Sequence, residues 1–315
     1  MFSPEAIKAV IMNNTIQYNG VLICCTFFAM IFQVLFDFSL LFFHFYAKIY
    51  QPCLLSIRFN HKSIKDIIML ENFMIVGHRG FRSQYPENTI PSFIAAMDYG
   101  LDSLEFDVHP TKDRKLVVTH DHTVERCSNG KGYVHDFLFD DIRKLDFGGW
   151  KDPKFAGTQI PTFEETLDAI FSKDPNYYIL IELKEDDDEC TRQVYELCKK
   201  QNIFSHSLIL SFHPRQLQLL KEWDPSIFIQ CFPPRYVKCP VDETLYGPVF
   251  NKICLWTKEA TNEEIEAYHK KNVVVDICAV DTEEELNKAL TLNCDSITTN
   301  SPDVIYPLLR KLNLR

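Results

Sequence analysis

The sequence predicts an α/β fold: a closed (β/α)₈ TIM barrel preceded by an N-terminal hydrophobic membrane-anchor segment. Three observations lead there. After residue 70, short β-branched and apolar runs alternate with amphipathic stretches, and eight such runs are the number a closed barrel requires. Ionisable residues end the first four runs, on the face where barrel active sites form. Residues 21–47 are apolar almost throughout. Alternation alone does not establish closure, so an open doubly wound sheet is the competing architecture.

Residues 1–70 form the N-terminal segment. The stretch VLICCTFFAMIFQVLFDFSLLFFHFYA, residues 21–47, is interrupted only by Gln33, Asp37 and His44 among strongly polar types. Roughly 20 apolar residues span a hydrocarbon core of about 30 Å, so a membrane helix is expected over about residues 21–43. A carboxylate at the bilayer centre costs about 3 kcal/mol, which places Asp37 off-centre. A hairpin dipping into one leaflet and a buried apolar helix are the alternatives. A cleaved signal peptide fits less well, because the stretch starts late and no small-residue cleavage site follows it. Lys48, Arg58, Lys62 and Lys65 follow the stretch against one acid, Asp66, while Glu5 and Lys8 precede it. That asymmetry predicts a membrane-anchored protein with its catalytic domain facing the cytosol.

The eleven cysteines agree, since they are scattered and contain no CxxC pair, as in a reducing compartment. A net charge of −10 argues against nucleic acid as a partner, which calls for a basic face. It leaves phosphate chemistry open, because a bound cation supplies positive charge locally.

Residues 71–315 form the barrel domain. Strands are expected at 74–77 (MIVG), 103–108 (SLEFDV), 115–120 (KLVVTH), 177–183 (YYILIEL), 207–212 (SLILSF), 227–232 (IFIQCF), 273–280 (VVVDICAV) and 295–299 (DSITT). Segments such as FEETLDAIF, TRQVYELCKK and EEELNKALTLN read as the helices between them. ICLW at 253–256 reads as an extra strand inside a loop. The connection from about 121 to 160 has the length of a functional loop.

His78-Arg79 ends the first run, Glu105 and Asp107 the second, His120-Asp121 the third, and Glu182 with Lys184 the fourth. Residues i and i+2 of a strand share a face, so Glu105 and Asp107 point together, as do Glu182 and Lys184. Three carboxylates make a hard-oxygen site for one divalent cation, Mg²⁺ or Ca²⁺. Arg79 and Lys184 add positive charge for phosphate oxygens. His78 and His120 flank that site by strand order and can divide the roles of base and acid. Which is which does not follow from the sequence.

These residues resemble a known family. HRG at 78–80, PENT at 86–89, E-x-D at 105–107, TKD at 111–113, HD at 120–121 and E-x-K at 182–184 are similar to motifs of the glycerophosphodiester phosphodiesterases. GTQIPTFEE at 157–165, SF at 211–212 and CDSITTNSPD at 294–303 extend the resemblance over about residues 75–308. It implies a (β/α)₈ barrel and one divalent metal held by Glu105, Asp107 and Glu182. It also implies acid-base catalysis by His78 and His120, with phosphate bound by Arg79 and Lys184. The implied products are a phosphomonoester and a free alcohol, after attack on phosphorus that a neighbouring substrate hydroxyl can begin. Members with an N-terminal membrane helix cleave lysophospholipids to lysophosphatidic acid, so a lysolipid and a soluble diester such as glycerophosphocholine are both implied substrates.

Two departures from the family pattern stand out. Arg114 replaces a glycine and suits a type I turn but not one with positive φ. Cys278-Ala279-Val280-Asp281 replaces a Trp-Thr-Val-Asn run, which removes an aromatic wall from the alcohol side of the pocket.

Other residues carry two readings each. Glu87 either belongs to a helix start capped by its neighbours or faces the pocket. Phe212 is a pocket candidate. His109 follows Asp107 at i+2, yet Pro110 suggests that the strand has ended. Asp121 and His122 are read as turn residues and His213 as a loop residue. The run EDDDE at 185–189 is read as a solvated helix entry. Phe147, Trp150 and Phe155 either cap a pocket or pack their own loop. Two other function classes compete: an inactive membrane-tethered binding protein, and an amidohydrolase-type hydrolase suggested by His120-x-His122. The second expects its paired histidines on the first strand, and the first expects a lost catalytic residue.

Overall fold

The structure is a computed structural model that describes residues 15–18, 21–24, 73–237, 250–312 and 314. The chain divides into two compact units, Met1–Ile67 and Ile68–Arg315. In the first unit, β1 (Thr15–Tyr18) pairs antiparallel with β2 (Val21–Cys24), and Tyr18 faces Val21 across the pair. This differs from the membrane helix expected from residue 21. The sequence between the strands is Asn-Gly, the strongest short-range hairpin signal, and it precedes a β-branched start to the apolar run. The remainder of the expected helix, and the anchor it was to form, lies outside the described residues. No helix of the described residues is long and apolar enough to cross a membrane.

In the second unit, eight strands run parallel: β3 (Met74–His78), β4 (Ser103–Pro110), β6 (Tyr178–Leu183), β7 (Ser207–Ser211), β8 (Ile229–Cys231), β9 (Lys252–Trp256), β10 (Val274–Cys278) and β11 (Ser296–Thr299). The sheet closes because β3 pairs with both β4 and β11. This is the expected barrel, and closure excludes the open sheet.

Two strands differ from expectation. The run at 115–120 contributes β5 (Leu116–Val118), which is antiparallel to the end of β4 and is not a barrel stave. Only a tight turn separates them: Thr111 N–H donates to Lys115 O at 2.9 Å. A parallel return needs a crossover of about a dozen residues, so this short turn makes only a hairpin. Arg114 sits in that turn at φ +64°, the left-handed region usually left to glycine. The eighth stave is instead ICLW, which reads in the sequence as an extra strand inside a loop and here lies within β9, parallel to β8 and β10.

Residues at alternate strand positions face the barrel interior, where Val76, Leu180, Leu208, Leu210 and Cys254 pack. The other parity, including Ile75, Phe106, Ile181 and Ile277, packs with helix residues such as Phe93, Phe163 and Leu217. Two steps further along the inward rows come His78, Glu182, Phe212 and Trp256. The alternation that builds the core therefore delivers these side chains to the C-terminal mouth. Residues 121–160 hold a small core of their own, with Val124, Ile142, Phe147 and Ile160 buried together. Phe147 thus packs its loop. Trp150 is exposed and its indole donates to Phe147 O at 2.9 Å, while Phe155 lies against Tyr85.

Candidate active site

Register sets the first layer. His78 on β3 lies opposite Glu105 on β4, and Asp107 lies opposite Glu182 on β6. One oxygen from each of Glu105, Asp107 and Glu182 falls within 4.8 Å of the others. Burial, then the charges of Asp107 and Glu182, push the Glu105 carboxyl well above the usual range. Burial also raises Glu182, to about 7, against the pull of Lys184. Asp107 goes the other way: burial opposes ionisation, but Lys184, His120 and Arg79 hold it low. Lys184 Nζ is 2.7 Å from Glu182 Oε1 and 3.4 Å from Asp107 Oδ1.

Glu105 Oε1 and Asp107 Oδ1 are buried with no hydrogen-bond partner. Glu105 Oε1 thus has no partner and Asp107 Oδ1 only the 3.4 Å ion pair with Lys184, and buried anionic oxygens so placed call for a cation. The donors are all carboxylates, the set that Mg²⁺ or Ca²⁺ prefers. The three expected ligands therefore fit a hard divalent ion.

The turn after β3 places Arg79. Arg79 has φ +57° and Gly80 φ +82°. A Cβ on Gly80 would lie 2.5 Å from Ser92 Oγ, so both backbone and packing require glycine there. Arg79 N–H donates to Glu105 Oε2 at 3.0 Å, and its guanidinium donates to Glu87 Oε1 at 2.8 Å. Glu87 also accepts from Arg126 and pairs with Arg82. Of its two readings, Glu87 takes the polar role beside the site, and capping falls to Thr89, whose hydroxyl accepts from Ser92 N–H at the start of α1 (Ile90–Tyr99). Asn88, read only as a capping type, holds Asp107: its amide donates to Asp107 Oδ2 at 2.7 Å.

The two histidines are each pinned through Nδ1. His78 Nδ1 lies 2.6 Å from Asn300 Oδ1, and Asn300 is itself oriented by donating to Asp281 Oδ2 at 2.6 Å. Asn300 therefore presents an oxygen, the His78 proton is on Nδ1, and Nε2 is left with its lone pair. Burial, then Arg79, press the His78 imidazole down to about 3. His120 comes from the segment after β5, not from a stave. Its Nδ1 lies 2.6 Å from Asp121 Oδ1, and Arg126 holds that carboxylate from the other side at 2.7 Å. Burial lowers His120, and the Asp107 charge opposes that.

Opposite the charged residues stands an aromatic wall. Phe212 stacks on Phe232 at 3.7 Å, and Tyr236 on Trp256 at 3.9 Å. Trp256 is 42% exposed and lies in register with Cys278, so β9 supplies the aromatic that β10 lacks.

Residues 78–304 match the model of the glycerophosphoryl diester phosphodiesterase family. The chain belongs to that family. It is 32% identical over 247 residues to a glycerophosphodiester phosphodiesterase of Caldanaerobacter subterraneus, covering 76% of this chain and 98% of the relative. The crystal structure of a glycerophosphodiester phosphodiesterase from Agrobacterium tumefaciens is 27% identical with a TM-score of 0.62, over 73% and 97% of the two chains. An Oleispira antarctica phosphodiesterase, solved with the product sn-glycerol-3-phosphate, shares the fold at 22% identity and a TM-score of 0.67, over 75% and 96%.

All the expected site residues except Phe212 converge on the charged side of one barrel mouth, and Phe212 lines the other. The sequence reading missed Asn88, Asn300, Asp281, Arg82 and Arg126. Asn300 and Asn88 were visible inside quoted motifs, but nothing in a sequence says which amide meets which histidine or carboxylate.

Proposed function

We propose that the barrel cleaves a glycerophosphodiester to glycerol 3-phosphate and a free alcohol, with His78 as base and His120 as acid. The observation that carries this is the contrast at Nδ1. His78 is held by a neutral amide, which leaves Nε2 as a proton acceptor. His120 is held by the Asp121 carboxylate, which stabilises an imidazolium able to protonate the leaving alcohol. Glu105, Asp107 and Glu182 would hold one divalent cation, Mg²⁺ or Ca²⁺, which when bound polarises a phosphoryl oxygen. Arg79 and Lys184 neutralise the remaining phosphate charge, and Glu87 keeps the Arg79 guanidinium aimed at it. His78 Nε2 takes the proton of the attacking hydroxyl, from water or from the neighbouring hydroxyl of the glycerol. His120 returns a proton to the departing oxygen.

The leaving group lies toward Phe212, Phe232, Tyr236 and Trp256. Such a surface favours choline through cation–π contact, or an apolar tail. The apolar sequence of residues 21–47 supports a second, membrane-bound substrate: a lysophospholipid reached by a chain tethered at the cytosolic face. Tethering raises the effective concentration of a bilayer substrate.

The test is release of choline from glycerophosphocholine and lysophosphatidylcholine, side by side, with and without EDTA. Divalent-dependent release supports the reading, and the preferred substrate decides between soluble diester and lipid. No release of either from folded, metal-supplied protein contradicts it.

A further inference from the structure

A second group of metal-ligating side chains sits beside the phosphate site and does not depend on the reaction proposed there. His109 on β4 is fully buried, His122 lies two residues after His120 and is exposed, and Glu185 follows Lys184. Glu185 Oε1 lies 2.8 Å from His109 Nδ1 and 2.9 Å from His122 Nδ1. The three ligand atoms lie within 4.8 Å of one another.

One ring nitrogen of His109 is already taken by the backbone. Its Nε2 lies 3.1 Å from the carbonyl oxygen of His120, which only accepts, so Nε2 carries the proton. With Nε2 committed to that carbonyl, Nδ1 is the ring atom left to face Glu185, and it converges there with His122 Nδ1 on one carboxylate oxygen. A histidine that binds metal through one nitrogen and donates the other N–H to a backbone carbonyl is a recurrent arrangement at metal sites.

We propose that His109 Nδ1, His122 Nδ1 and Glu185 bind one zinc ion. Two imidazoles and a carboxylate suit Zn²⁺, whereas Mg²⁺ and Ca²⁺ take oxygen donors. Zinc bonds of about 2.0–2.1 Å in a tetrahedron set ligand atoms roughly 3.3 Å apart, so the Glu185–imidazole spacings of 2.8 and 2.9 Å need widen by about half an ångström. Exposed His122 leaves a fourth position open to solvent. The ion would fasten the end of β4 to the segments carrying His120 and Lys184, and His109 Nε2 would hold the His120 backbone. In this role His109 and Glu185 are positioning residues.

The test uses the full chain in millimolar Mg²⁺ with zinc chloride as the probe. Binding is read by equilibrium dialysis, and coordination by zinc X-ray absorption. The expected result is about one retained zinc per chain with two imidazole nitrogens in its shell. His122→Ala and Glu185→Gln should each weaken zinc binding at least tenfold, on the order expected for loss of a ligand or its partner. Glu182→Gln, which alters only the carboxylate site, should leave zinc affinity within about twofold of the parent. His122 is exposed, so His122→Ala keeps the fold, checked by circular dichroism. Zinc affinity unchanged in both ligand variants, an all-oxygen shell, or no retained zinc would each overturn the proposal and leave His109 as a buried imidazolium paired with Glu185. Because no arm reads turnover, failure here is separable from failure of the proposed reaction.

Discussion

His78 Nδ1 lies 2.6 Å from Asn300 Oδ1, a contact between the first barrel strand and the residue following the last. It exists because the barrel closes through β3 and β11, so closure itself fixes the tautomer of the proposed base. Asn300→Ala should lower kcat by about 10²-fold, within the range that general acid–base catalysis contributes, and leave KM nearly unchanged. Asn300→Asp places a carboxylate at Nδ1, favours the charged ring and should move the acidic limb of the kcat/KM profile to higher pH. Steady-state pH profiles of the two variants check both.

Glu87 links Arg79, Arg82 and Arg126, and this linkage makes a pH-dependent contribution to stability. Burial raises its carboxyl, but Arg126, Arg79 and Arg82 prevail and hold it down from 4.5 to about 2. A depressed carboxyl stabilises the fold above the unfolded value and loses that contribution as pH falls from about 4.5 through about 2. Glu87→Gln should therefore cost about 2–3 kcal/mol at pH 7, discounted for the exposure of Arg126, with the difference vanishing toward pH 2. Denaturant unfolding of both proteins at pH 7, 4 and 3 measures it.

The raised carboxyls of Glu105 and Glu182 oppose folding as they ionise, and a cation bound at the proposed site would relieve that. Glu105→Gln removes a carboxyl whose ionisation burial, Asp107 and Glu182 oppose, and should raise Tm in EDTA while abolishing the rise that a divalent ion gives the parent. In the parent, ion at 100 times its Kd should add about 2.7 kcal/mol. Thermal unfolding with EDTA, Mg²⁺ and Ca²⁺ also shows which ion is preferred.

Trp256 faces the mouth and stacks on Tyr236. Trp256→Ala should raise KM for choline diesters by roughly 5- to 30-fold, equivalent to about 1–2 kcal/mol of cation–π attraction. The KM for glycerophosphoglycerol should change by less than about threefold. Equal losses on both substrates would mean that the wall serves folding and not the head group.

Much of this was legible in the sequence because it is encoded locally. Period-two alternation places Glu105 beside Asp107 and Glu182 beside Lys184, and the structure keeps both pairs on one face. KLVVTH has strand composition and so predicts a stave ending at His120, yet the short turn at Thr111–Lys115 allows only an antiparallel return. ICLW reads as an extra strand in a loop, although its register with β8 and β10 makes it a stave. Glu185 reads as one of a solvated acidic run, since composition cannot show that it turns back to two histidines. Asn88, Asn300 and Asp281 share that difficulty: their partners lie far along the chain, and only closure brings them together.

In the proposed reaction His78 accepts the proton of the attacking group and His120 donates one to the leaving alcohol. The most direct measurement compares His78→Ala and His120→Ala on glycerophosphocholine and on glycerol 3-phosphate p-nitrophenyl ester. The p-nitrophenolate departs without protonation, so His120→Ala should lose about 10²-fold or more on the choline diester and recover most of it on the activated ester. His78→Ala should stay impaired on both. Recovery by His78→Ala instead would reverse the assignment, and equal losses by both variants on both substrates would contradict the division of labour altogether.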